Sequence, residues 1–175
     1  MRNETLKQFF GMSPNGNLQD AVHGLNNPQL IMLLSNADQF EKHVAELEKL
    51  YPKVPSIGCI GMSYDTRIVE KGVGIIAFTE GVNAAANVLE EVSTMPVKYI
   101  ERLQQDLRTI NASSKDTVCI DFCSGNDACV LTTFYSVLGP ENISLVGGTG
   151  DAGKVSANGK IYQDAVCLLY TSDAA

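Results

Sequence analysis

The chain has no tryptophan and only two histidines, His23 and His43, in 175 residues. Neither histidine is accompanied by an acid–base constellation, so the commonest general base is scarce and poorly placed for catalysis. Basic residues are also in short supply. Thirteen Lys and Arg stand against 20 Asp and Glu, a formal net charge of -7. Nucleic acid and anionic membrane both need a basic face, so the composition excludes them as partners. Nowhere do about 18 consecutive apolar residues occur, and residues 1–6 lack the apolar run of a signal peptide. The expectation is a soluble, cytoplasmic chain without membrane contact.

Further absences narrow the chemistry. No Cys-x-x-Cys pair is present, and Cys119 and Cys123 on one strand are separated by about 13 Å. One zinc ion, with bonds near ~2.3 Å, cannot take both. Cys59, Cys119, Cys123, Cys129 and Cys167 all lie inside apolar patterns and read as reduced core thiols. Cys123 and Ser124 sit at a strand-to-helix turn, but the Gly-x-Ser-x-Gly elbow is missing around them. No catalytic residue, metal site or cofactor is assigned, and an enzyme is not expected.

What is there is a 45% apolar chain with clear periodicity, enough for one domain with a sizeable core. Residues 1–17 are weakly patterned and read as an N-terminal arm. Leu18, Val22 and Leu25 mark a short helix. An apolar run over 30–34, a helix over about 38–51 and a second strand over 56–61 make one strand–helix–strand unit. In that helix His43 falls at the border of the stripe formed by Phe40, Val44, Leu47 and Tyr51, which suggests a surface role. A third strand spans 73–78, and the alternation from Val82 to Glu90 suggests its hairpin partner. A helix carrying Tyr99, Ile100, Leu103, Leu107 and Ile110 follows. A strand over 118–123, a helix over about 127–138 and a strand over 143–146 form a second unit. The expected fold is α/β: a mixed, largely parallel sheet built from two strand–helix–strand units, with a C-terminal β-hairpin.

The last of these strands runs into Gly147-Gly148-Thr149-Gly150-Asp151-Ala152-Gly153-Lys154. Gly148-x-Gly150-x-x-Gly153 satisfies the dinucleotide fingerprint, and Gly148 to Lys154 satisfies all but the last position of the P-loop, where Val155 supplies no hydroxyl. Both motifs work by aiming a helix N-terminus at phosphate. Here Asn158-Gly159 predicts a hairpin instead, and Asp151 would repel a pyrophosphate. The glycines therefore frame a recess and do not clasp a nucleotide.

Three strands end in glycine-containing turns: Gly58-Cys59-Ile60-Gly61, Ser124-Gly125-Asn126-Asp127, and Gly147 to Asp151. Ligands of α/β sheets settle in the crevice outside strand carboxyl ends. The candidate ligand-binding residues are Gly58, Cys59, Ser124, Asn126, Gly148, Thr149 and Asp151, with Asp121 a further lining group. The alternative is that these glycines only reverse the chain.

These same segments carry a family resemblance. Ile57-Gly58-Cys59-Ile60-Gly61, the strand over 73–78, Ser144 to Asp151, and Asn158 to Val166 resemble the N-terminal half of a FIST sensory domain. The resemblance implies an intracellular signal-input module for small polar ligands, amino acids among them. It also implies a second FIST half and an output domain downstream, as in chemotaxis transducers. The expected layout is an arm over 1–17, a FIST N-like domain over 18–166 truncated before its C-terminal half, and a tail over 167–175. That tail resembles a translated sequencing adapter; the other reading of it is a strand over 166–170. A protein–protein adaptor scaffold is the alternative function.

Overall fold

The computed structural model describes residues 7–61, 63–64, 67–68, 71–94, 96–125 and 127–173. The chain begins with β1 (Lys7–Ser13), inside the segment read as an arm, and a one-turn helix α1 (Leu18–Ala21), whose N-cap Asn17 accepts from the Gln19 N–H. The first strand–helix–strand unit follows as β2 (Leu30–Ser35), α2 (Phe40–Leu50) and β3 (Ser56–Ile60), with β2 and β3 parallel. A small hairpin, β4 (Ser63–Tyr64) with β5 (Arg67–Ile68), leads to β6 (Val73–Glu80). Then come β7 (Val82–Glu90), a 3-10 turn over Pro96–Tyr99, α3 (Ile100–Thr109), β8 (Thr117–Cys123), α4 (Asp127–Leu138) and β9 (Ser144–Thr149). The chain closes with β10 (Val155–Ala157), β11 (Lys160–Tyr162) and β12 (Ala165–Asp173).

These strands do not form the single, largely parallel sheet that the sequence suggests. There are two main sheets, ordered β1-β6-β2-β3-β10-β11 and β7-β12-β8-β9. Among the described residues only β2–β3 and β8–β9 are parallel, one pair in each sheet; every other pairing within the two sheets is antiparallel. The reason lies in the connections. A parallel neighbour needs a crossover of a dozen or more residues, and only α2 and α4 provide one between adjacent strands. The hairpin at the end, by contrast, forms with Ala157 opposite Lys160 and Asn158-Gly159 at its tip.

A second correction concerns β7. Its alternation is that of a strand, but β6 is not its partner, because Gly81 (φ 77°) turns the chain out of one sheet and into the other. β7 pairs along its whole length with β12, from Ala165 opposite Glu90 to Asp173 opposite Val82. β12 also pairs with β8. The segment read as a tail thus contributes to the centre of the second sheet through Asp173, with Cys167, Leu168 and Leu169 fully buried.

The layers follow from two-faced strands. One face of the six-stranded sheet packs Ile31, Leu33, Val73 and Ile75 against Leu18 and Val22 near α1 and Phe40, Val44 and Leu47 of α2. Its other face meets the second sheet through Leu30, Met32, Ile57, Cys59 and Val155 against Val82, Cys167 and Leu169. The far face of the second sheet carries Cys119, Cys123, Leu168 and Tyr170, covered by Leu103 and Leu107 of α3 and Val130, Phe134 and Val137 of α4. Because successive strand residues point to opposite faces, β12 feeds two cores at once: Cys167 and Leu169 inward, Leu168 and Tyr170 toward the helices.

Candidate functional site

At one corner the two sheets join their strand ends. The Gly150 N–H donates to the Cys123 carbonyl (2.8 Å), holding the end of β9 to the end of β8. Gly150 is pressed against β3: a Cβ there would stand 2.8 Å from the Cys59 Cβ, so only glycine lets Asp151 come this close to the first sheet. Asp151–Gly153 is a single 3-10 turn in which Ala152 takes left-handed angles (φ 55°), and the chain enters β10 straight after Lys154. The turn leads into a strand and not into a helix, so the helix N-terminus through which either nucleotide motif would hold phosphate does not follow it.

The candidate residues divide into three groups here. Thr149, Asp151 and Gly148 are exposed, and a Cβ at Gly148 would meet nothing within 4 Å. Ser124 is half-buried and locks β12: its N–H donates to the Ala165 carbonyl and its Oγ accepts from the Ala165 N–H, both at 2.9 Å. Gly58 and Cys59 are buried within β3. A Cβ at Gly58 would stand 2.6 Å from Ser156 Oγ, which ties this glycine to close strand packing. Cys59 is 7% exposed, and burial, helped by the carboxylate of Asp151, pushes its thiol up to about 12. It stays protonated at neutral pH and is a weak nucleophile. Asn126 lies outside the described residues. Asp121 is not at the corner: it is buried on the helix-facing side of β8, the side of Cys119 and Cys123, beneath Gly147.

Outside this corner the structure places one residue where sequence reading did not. His43 is fully buried, not on the surface of α2. The Gly16 carbonyl can only accept, so Nε2–H donates to it (2.9 Å); Nδ1, the acceptor of the neutral ring, lies 2.7 Å from the Ser35 hydroxyl, which also reaches the Asn36 carbonyl (3.0 Å). Burial holds its pKa below the ordinary imidazole value. The signal was present, since 40, 43, 44 and 47 share one helical face.

A cavity of about 400 Å³ lies away from the corner, lined by Leu107, Val137 and Ile143 with Arg108, Asn111 and Glu141 at its polar side. Sequence reading missed it because the contact between α3 and α4 is set by the sheet beneath them. Cys59, Cys119, Cys123 and Cys167 are buried and form no disulfide among the described residues. Among the described residues no group of three or more His, Cys, Asp or Glu is placed to hold a metal ion, and no helix is long and apolar enough to cross a membrane.

Comparison with protein families places the chain among the sensory domains of signal transduction. The family is the FIST N domain, whose model matches residues 29–174, and this chain belongs to it. A comparison with curated proteins finds no match.

Proposed function

We propose that this domain receives a small polar ligand at the corner where β3, β8 and β9 end, and passes occupancy to an output domain in a cytoplasmic signalling protein such as a chemotaxis transducer. The observation that carries this is the contact of Gly150 with Cys59, which sets the exposed Thr149 at the end of β9 and Asp151 just after it beside the buried end of β3 in the other sheet. A carboxylate and a hydroxyl beside Ser124 suit the ammonium and hydroxyl groups of an amino acid. Gly148 leaves the approach open. The reading is non-enzymatic: it is supported by a Cys59 thiol that stays protonated and by a His43 ring whose two nitrogens are both engaged within the fold.

A thermal-shift panel of amino acids and small polar metabolites on the whole chain tests it. A ligand at about 100 times its Kd adds about 2.7 kcal/mol, a rise of several degrees for a domain of this size. The rise should shrink in Asp151→Asn. A panel with no stabilising compound would count against the reading. The cavity between α3 and α4 supports a second placement, since about 400 Å³ is within the usual range for small-molecule sites. Stabilisation that survives Asp151→Asn and disappears in Arg108→Ala would select it.

A further inference from the structure

The two edges of the four-stranded sheet differ in a way that points to a macromolecular partner. Six outward main-chain groups of β7 are capped by side chains. The Val82 N–H donates to Gln29 Oε1, the Ala86 carbonyl accepts from Asn158 Nδ2, and the Val88 N–H and carbonyl bond to Asn87 and Arg102. Glu90 bonds through both its N–H and its carbonyl to the Tyr99 hydroxyl. β9 is the other edge. The bond from Gly150 N–H to Cys123 fixes its alternation, so the even-numbered residues face β8, and the N–H and carbonyl of Leu145 and Gly147 point away from it. Among the described residues no side chain bonds to the main chain of residues 144–148. β9 carries no charged residue, and Val146 is 50% exposed. Native sheets usually guard such an edge with charge, proline, a bulge or a covering segment.

We propose that β9 is a strand-addition site for an extended, basic-flanked polypeptide segment. A row of main-chain donors and acceptors at two-residue spacing is matched by another extended main chain. Charge decides which one. Glu141 before β9 and Asp151 after it are exposed, and among the described residues no ion pair engages either carboxylate. A second copy pairing antiparallel would bring Glu141 of one molecule toward Asp151 of the other, between two chains each of net charge -7. A strand with Lys or Arg at its ends meets both carboxylates favourably instead.

The test uses the whole chain and a fluorescein-labelled peptide of alternating valine and threonine flanked by lysines. Saturable anisotropy below about 1 mM is expected. Hydrogen exchange at Leu145 and Gly147 should slow in the complex, while Val88 and Glu90 on β7 do not change. N-methylating the alternate peptide amides that face β9 should weaken binding at least about tenfold, and methylating the other set should not. Glutamate flanks should weaken binding, and Glu141→Gln with Asp151→Asn should erase that preference. Absence of saturable binding, protection appearing elsewhere than β9, or indifference to the methylation pattern would each overturn the proposal. So would a dimer by sedimentation in which Leu145 and Gly147 are protected without peptide, because the occupant would then be a second copy.

Discussion

β7 and β9 are the two edges of one sheet, and the fold treats them oppositely. β7 is alanine-rich, with Ala84, Ala85 and Ala86 in sequence, and is sealed by side chains from four different elements or loops: Gln29, Asn158, Tyr99 and Arg102. β9 is glycine-rich and open. The difference teaches that a sheet edge is closed here by side chains that reach it from elsewhere in the chain, since β7 itself contributes only Asn87. Backbone groups left unpaired are costly once buried and available for binding while exposed.

The comparison can be broken most forcefully from between the edges. Leu169→Ala in β12 should cost about 4 kcal/mol, because it opens a cavity at a fully buried position facing the first sheet; urea denaturation reads the loss. Next, adjacent glycines on β9 should diverge. Gly147→Ala should cost about 3 kcal/mol, since its φ of 154° is rare for other residues and a Cβ would run into the main chain and carboxylate of Asp121. Gly148→Ala should change stability by less than about 0.5 kcal/mol, there being open space around it. Equal losses in the same denaturation assay would mean that β9 is not built as described.

On the sealed edge, Asn158→Ala should cost about 2 kcal/mol. It removes the bond from the Ser56 N–H to Asn158 Oδ1 and the cap on the Ala86 carbonyl, and it puts alanine at a left-handed φ of 47°. The smallest effect belongs to Tyr99→Phe, about 1 kcal/mol or less, because the hydroxyl it removes from Glu90 is in exposed surroundings where water can replace it. Amide exchange at Glu90 should nevertheless quicken, making this edge resemble β9.

Periodicity made the elements legible. Residues that face a core recur at two or 3.6 positions whatever they pack against, so β2, α2, β8, α4 and the Asn158-Gly159 hairpin could be placed from sequence. Partnership was not legible. The alternation of Val82, Ala84, Ala86 and Val88 is the same whether the neighbour is β6 or β12, and the choice rests on the left-handed turn at Gly81. The same limit applied to the corner. Its glycine-ended strands were visible, but the seating of Gly150 on Cys59 depends on two sheets meeting, which no local pattern encodes. Asp121 was grouped with the corner by proximity in sequence, and the alternation of β8 turns it to the opposite face. His43 escaped because burial of a histidine requires its two partners, Gly16 and Ser35, which lie in separate segments.

The place of β12 in the chain bears on how the protein is born. On a translating ribosome β7 and β8 emerge well before the strand that lies between them, and β3 likewise waits for β10. The alanine-rich β7 and apolar β8 must therefore stay soluble with their inner edges bare until β12 arrives. A stall anywhere in α4 or β9 would leave a nascent chain with two sticky strands and nothing to join them, a natural substrate for holding chaperones.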